Sequence, residues 1–484
     1  LNRLKHSRIT KLEEEIMTIK YNKPVFVLLA AASLLSACTV TKTYKRPDVA
    51  TDGLYRDQAN ADSLTMASMP WQSVFADVKL KALIQKGLEQ NLDLKNAIEN
   101  IIQAQATLRQ SKLALFPTLS AGADYTRAKS SLSALNFPSG ININTLTNTY
   151  KLSLNTSWEA DIWGKLSSVK RAALADYLGT DAAKRAVQTQ LIADIANNYF
   201  SLLALDQQLA ITKETLKSRI SNVEALKLLK ESAVVNGAAV VQSEASRYAT
   251  EVTIPDLNQN IRETENALSI LLAQAPGPID RGTIQEQVTP GTLATGVPAQ
   301  LLQNRPDVQQ AEYSLRSAFE NTNAARTYFY PALTVTASGG LSSLQLKNLF
   351  DQSIFYNLVG GLTQPIFNQG LNRARLVTAQ SQQAQALNNF QQSLLVAGQE
   401  VSDALYAYQA ATEKTDSRAK QIAALQKAVD FTQELLRYSS ATNYTDVLTS
   451  EQSLLAAQLS GVSDRLQKLQ AVVNLYRALG GGWR

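Results

Sequence analysis

The sequence predicts a membrane α+β protein in which a short, lipid-facing antiparallel sheet is joined to very long helices, the whole plan being laid down twice. Three observations carry that reading: an internal repeat, alternating segments with aromatic residues at their ends, and two proline-free stretches with heptad-like apolar spacing. At 484 residues, 45% of them hydrophobic, the chain is long enough for more than one ordered unit.

Residues 1–16 are charged and have no apolar core, so the natural start is expected at Met17. From there Lys20 and Lys23 form a positive n-region and residues 25–35 an apolar run, the pattern of a secretory leader ending at residue 37. That run is too short to span a bilayer comfortably. It closes on Leu35-Ser36-Ala37-Cys38, which resembles a bacterial lipobox. The resemblance implies a leader cut before Cys38, a diacylglyceryl group on its thiol and an acyl chain on its new amino terminus. Such an anchor holds firmly, since each buried methylene contributes about 0.8 kcal/mol. Thr39 follows where inner-membrane retention would favour Asp, so the outer membrane is expected. The competing reading of Cys38 is a buried thiol in an apolar helix.

Composition excludes several classes of chemistry. The one His is His6, inside the leader, and Cys38 is the one Cys, so the mature chain keeps neither a His nor a free thiol. Ser-His and Cys-His catalysis, His/Cys zinc sites and disulfides fall away with them. An enzyme is not expected, although paired carboxylates stay open. Lys and Arg number 47 against 41 Asp and Glu. Residues 1–37 hold six and three of these, leaving a balance of +3, which is no footprint for nucleic acid.

Self-comparison shows the repeat. Residues 91–119 lie over residues 305–333 at an offset of 214, matching Asp93 with Asp307, Ala97 with Ala311, Pro117 with Pro331 and Leu119 with Leu333. Ile162-Trp163-Gly164 lies over Ile366-Phe367-Asn368 at 204, and residues 240–244 over 447–451 at 207. The organisation expected is a leader (1–37), a lipidated N-terminal segment (38–75), repeat 1 (76–275), a linker (276–295) and repeat 2 (296–484). Each repeat reads helix, strand, loop, strand, very long helix, turn, helix.

The strands are expected near residues 117–127, 150–158, 333–341 and, more weakly, 356–362. In the first, Leu119, Ala121, Ala123 and Tyr125 alternate with Thr118, Ser120, Gly122 and Asp124. Each has about the length of a tilted transmembrane strand. The edge of a soluble sandwich would alternate equally well. What favours lipid is that Phe116, Trp163, Tyr330 and Phe367 stand at the four strand-to-helix junctions, with Trp158 nearby, because aromatic rings prefer the headgroup level.

Residues 171–230 and 371–436 contain no proline, and at 1.5 Å per residue each would span roughly 90–100 Å as a helix. Leu387, Phe390, Leu394, Ala397, Val401, Ala404 and Tyr408 step by three and four, as do Leu455, Leu459, Val462, Leu466, Leu469, Val473 and Tyr476. A period near 3.5 keeps one seam against a neighbour. Gln382, Gln383, Asn388 and Asn389 fall on other faces, suited to water.

Four strands cannot close a barrel, and open edges in lipid leave backbone groups unpaired at several kcal/mol each. Closure must come from other chains, which makes a conduit.

The duplicated plan, the lipobox and a set of local motifs resemble the TolC-like outer-membrane factor family, in its lipoprotein branch. The motifs are Tyr44-Lys45-Arg46-Pro47, Leu80-Lys81-Ala82-Leu83-Ile84, Ser157-Trp158-Glu159-Ala160-Asp161-Ile162-Trp163-Gly164, Asn304-Arg305-Pro306-Asp307-Val308, Gln364-Pro365-Ile366-Phe367 and Leu479-Gly480-Gly481-Gly482-Trp483. The resemblance implies a homotrimer with a twelve-stranded transmembrane β-barrel continuous with a periplasmic α-helical barrel. It implies a periplasmic adaptor (membrane fusion) protein, an inner-membrane RND-type pump, and passive exit of small toxic solutes. It also implies a gate at the helix tips, for which Asn236, Asn443, Tyr444 and Asp446 are the candidates. The second tip departs from the family pattern, with Ala441 where a Gly is usual. Asp446 has a second reading as a helix-starting residue. A duct for secreted polypeptides and a coiled-coil spacer lipoprotein are the alternatives; the spacer would need no strands.

Overall fold

The computed structural model describes residues 40–51, 53–56, 64–134, 144–289, 293–438 and 444–484. The leader, Cys38, the middle of the first hairpin loop and Asn443 lie outside the described residues. In chain order the main elements of repeat 1 are α1 (Val78–Gln90), α2 (Leu92–Leu113), β1 (Thr118–Lys129), β2 (Leu146–Ala160), α3 (Lys165–Glu231), α4 (Gly237–Glu251) and α5 (Thr253–Leu271). Repeat 2 supplies α6 (Pro306–Thr327), β3 (Ala332–Ser343), β4 (Ile354–Thr363), α7 (Leu371–Tyr438) and α8 (Tyr444–Ala478).

The repeat is nearly metric in its first half. Helices α2 and α6 each have 22 residues and strands β1 and β3 each have 12, with starts 214 positions apart in both cases. The long helices α3 and α7 have 67 and 68 residues, about 100 Å apiece at 1.5 Å per residue. The repeats part company in the return helix. Repeat 2 has one helix of 35 residues, whereas repeat 1 breaks at Val252 between α4 and α5. Pro255 accounts for the break: it has no N–H to give the Glu251 carbonyl, and its ring crowds that group.

Two compact units divide the fold differently from the repeats, each repeat contributing to both. The first unit comprises the described part of Leu1–Arg46 with Thr107–Leu174 and Arg316–Gln383. It holds one antiparallel sheet in the order β1-β2-β3-β4. The central pairing, β2 with β3, joins the two repeats, with Trp158 opposite Val335 and Leu152 opposite Leu341. At Gly340 the strands approach so closely that a Cβ would overlap the Leu152 carbonyl oxygen, so only glycine fits.

The second unit comprises Pro47–Ala106, Ala175–Leu315 and Ala384–Arg484. Its core gathers Leu80 and Ile84 of α1, Ile192, Ile195, Tyr199 and Leu202 of α3, and Leu268 and Leu272. The heptad seam of α7 is buried from Phe390 through Leu394, Ala397 and Val401 to Ala404. That of α8 is broader than expected: Ala471, Val472 and Leu475 are buried beside Leu469, Val473 and Tyr476.

Helix α1 shows how local chemistry and core meet. Asp77 is its N-cap, accepting from the Lys79 and Leu80 amides at 2.8 and 3.3 Å. The same carboxylate accepts from the Tyr199 hydroxyl and the Gln287 amide, both at 2.7 Å. Burial opposes its ionisation, but these four donors outweigh that and hold Asp77 below its ordinary value. A depressed carboxylate stabilises above its unfolded value and ceases to as pH falls through the folded one. Asp77→Ala is therefore expected to cost about 1–2 kcal/mol at neutral pH, the worth of an N-cap. Measured by denaturant unfolding, the penalty should fade below about pH 4, the unperturbed carboxylate range.

Candidate functional site

The sheet has two chemically distinct faces. Leu119, Leu152, Leu154, Val335, Leu341, Ile354, Tyr356, Leu358 and Leu362 share one, while Ser120, Asp124, Lys151, Ser153, Asn155, Thr334, Thr336, Ser338 and Asn357 share the other. On the apolar face Ile354 is 83% and Tyr356 89% exposed, left uncovered by the described residues. An apolar face of this extent left open marks a membrane or an interaction surface. Strands β1 and β4 are its two unpaired edges. Among the described residues no helix is long and apolar enough to cross a membrane.

The aromatic residues expected at the membrane interface stand at the helix-bearing end of the strands. Phe116, Tyr330 and Phe367 are exposed, and Ile366, Tyr328 and Phe329 join them. The two tryptophans are oriented by their polar atoms: Trp158 donates to the Leu115 carbonyl at 2.9 Å and Trp163 to the Pro331 carbonyl at 2.7 Å. Trp163 also stacks on Tyr330, with centroids 5.0 Å apart. The motif around it builds the junction. Asp161 accepts from the Leu166 and Ser167 amides at 2.8 Å each, capping α3, and Glu159 pairs with Lys165. Gly164 takes a left-handed φ of +76° between them.

The N-terminal segment is pinned beside this junction. Asn323 clamps the Lys42 backbone on both sides, accepting its N–H at 3.0 Å and donating to its carbonyl at 2.8 Å. Tyr44 meets Phe319 edge-on at 5.5 Å and Arg316 on its face. Thr41 packs against Gly164.

At the helix tips, the ends of α3 and α7 and the starts of α4 and α8 converge. Of the candidate gate residues, Tyr444 is buried with Leu226, Val240, Val447 and Leu448, and its hydroxyl lies 2.8 Å from that of Ser243. Burial pushes that hydroxyl above its ordinary value. Periodicity could not foresee this, because Tyr444 is shielded by α4, from the other repeat. Asn236 is committed as the N-cap of α4, accepting from the Ala239 amide at 3.1 Å. Asp446 is exposed in the first turn of α8, where helix dipoles favour a carboxylate. Asn443 lies outside the described residues.

Behind the tips sits a buried polar cluster that the sequence reading missed. Arg219 of α3 donates to the Ser246 carbonyl at 2.6 Å and to the Thr250 hydroxyl. Glu451 of α8, 7% exposed, accepts from Asn222 at 2.6 Å and Gln433 at 3.1 Å. Burial lowers the Arg219 pKa, and Glu451 partly offsets it. Arg219 Nε, Ser246 Oγ, Arg247 Nε and Glu451 Oε2 are buried without a hydrogen-bond partner. Such groups cost about 1–3 kcal/mol each, so this packing carries a penalty that water would relieve. A cavity of about 420 Å³ borders Glu451 and another of about 440 Å³ borders Arg219. Neither residue differs in sequence from a solvated charge, so no local signal marks them.

The model of the family described as "Outer membrane efflux protein" matches residues 83–274 and 297–481. The chain belongs to the outer membrane efflux protein family. It is 31% identical to the solvent efflux pump outer membrane protein SrpC of Pseudomonas putida, over 95% of this chain and 98% of that one. It is 29% identical to the probable outer membrane lipoprotein SilC of Salmonella typhimurium, over 95% and 97%. Among solved structures, the open state of the MtrE outer membrane channel of Neisseria gonorrhoeae superposes with a TM-score of 0.81 at 27% identity, covering 92% of this chain and 99% of that one. This efflux protein is thus an outer-membrane channel component with a TolC-like fold, and the family is one of ducts rather than catalysts.

Proposed function

We propose that three copies of this efflux protein enclose one water-filled duct, gated at the helix tips and anchored by lipid at Cys38. One observation carries the reading: a four-stranded sheet has an exposed apolar face and two free edges, β1 and β4. Edges in lipid must be paired, and β1 and β4 run antiparallel across a copy-to-copy junction, so three sheets form a twelve-stranded closed wall. The face bearing Ser120, Asp124, Lys151 and Asn155 then lines water. The duct works without catalysis, in series with a periplasmic adaptor and an inner-membrane RND-type pump, and passes small toxic solutes. The solvent-efflux relative and the lipoprotein relative support cargo class and anchor respectively.

The tip cluster supports the gate. Splaying the tips would open the apolar cluster around Tyr444 but would wet Arg219 and Glu451, offsetting part of that loss. Packing with two arrangements of similar energy is what a switch requires.

The test is mass measurement of the detergent-extracted protein with Cys38 intact and as Cys38→Ser, followed by reconstitution in a planar bilayer. The expected result is a three-copy assembly, loss of the acyl mass in the variant alone, and ion conductance. A monomer without conductance would refute the duct.

A further inference from the structure

We infer that Arg127 and Lys129 form a docking site for the phosphate groups of the glycolipid that faces them in the outer leaflet; the inference rests on the barrel reading above. The register of β1 and β2 runs without a bulge from Thr118 opposite Ser157 to Lys129 opposite Leu146, so side-chain parity is unbroken along the strand. Arg127 and Lys129 therefore lie on the lipid face with Leu119, Ala121, Ala123 and Tyr125. Every other position on that face of the four strands is uncharged; Asp124, Lys151 and Glu159 all belong to the opposite face. Charge on the lipid face is thus purely basic and confined to one end of one strand.

The aromatic residues fix the depth of that end. Tyr125 and Tyr150 stack with centroids 4.9 Å apart, and the Tyr125 hydroxyl donates to Asn148, the residue opposite Arg127. This pair is a second belt, eight residues along β2 from Trp158, which is about 27 Å along the strand and about 20 Å of height at a tilt of about 40°. That height is near the roughly 25 Å of an outer-membrane apolar band. Arg127 and Lys129 come next, at the level where headgroups replace acyl chains. They are exposed, and as i and i+2 neighbours on one face stand about 7 Å apart. Two cations so spaced suit a polyanionic headgroup, and Arg adds a planar fork matched to phosphate. Strand β1 is also a sheet edge, so the site falls at the seam between copies, where a bound lipid would touch both.

The probe is purified, delipidated protein incubated with lipid A carrying its phosphates, with the same lipid dephosphorylated, and with phosphatidylglycerol, retained lipid being counted by native mass spectrometry. The phosphorylated glycolipid should be retained best. The double variant Arg127→Gln, Lys129→Gln should bind it on the order of tenfold more weakly or worse, the scale of losing charge-assisted contacts. Lys347→Gln, in the other hairpin, should bind as the parent does. Equal retention of the dephosphorylated lipid, or unchanged binding by the double variant with subunit number intact, would overturn the site while leaving the duct standing. A parent protein that forms no strand-walled assembly would overturn both.

Discussion

Arg305→Ala is expected to cost about 2–3 kcal/mol, because it removes the charge-assisted hydrogen bonds of a buried guanidinium, leaving Asp307 without its partner and Glu400 with Arg477 alone. Arg305 is 4% exposed and serves three acceptors: Asp307 at 2.9 Å, Glu400 at 2.6 Å and the Ala478 carbonyl at 3.0 Å. Arg477 reaches the same Glu400 at 2.8 Å. Through these bonds the start of α6, the middle of α7 and the end of α8 are tied at one point. The terminal motif closes over it. Gly480, at φ +87°, sits where a Cβ would collide with the Asn304 carbonyl, which in turn accepts from the Trp483 indole at 3.0 Å. Burial disfavours a charged Asp307, yet Arg305 and two backbone amides hold it below the ordinary carboxylate range. Its contribution is present at neutral pH and disappears as acid protonates it. Arg305→Lys should recover only part of the loss, since an ammonium cannot match the fork. Denaturant unfolding with protease resistance as a second readout measures both variants; an Ala variant as stable as the parent would contradict the assignment.

Tyr444→Ala is expected to loosen the helix tips. Removing a buried aromatic side chain costs about 3–5 kcal/mol where the cavity cannot collapse, and here the ring supports Leu226, Val240, Val447 and Leu448 together. Tyr444→Phe loses only the contact with Ser243, worth about 1 kcal/mol. The Ala variant should therefore raise basal conductance in a planar bilayer and hasten proteolysis at the tips, with the Phe variant close to the parent. A side chain lining the aperture would behave differently: conductance would change with no change in proteolysis.

The contrast between these two sites shows what kind of information the chain carries locally. Parity of Leu119, Ala121, Ala123 and Tyr125 is an i to i+2 property and the α7 seam from Phe390 to Ala404 an i to i+3 and i+4 property. Both were legible, as were the duplicated strands, because each depends on near neighbours and on which face meets water or lipid; the α3 cap at Asp161 spans only six residues and was not read from the sequence. Sequence alone thus determined the two-fold plan, the strand faces, the long helices and the need for other copies to close the sheet. The tertiary structure alone decided that β2 and β3 join the repeats, that Tyr444 is core, that Arg219 and Glu451 are buried, and that the C-terminal glycines close over Arg305. Asn222 and Glu451 meet across 229 residues, and Arg305 and Ala478 across 173. Spacing within a segment cannot encode such encounters, because burial of a polar side chain depends on which distant helix arrives to cover it.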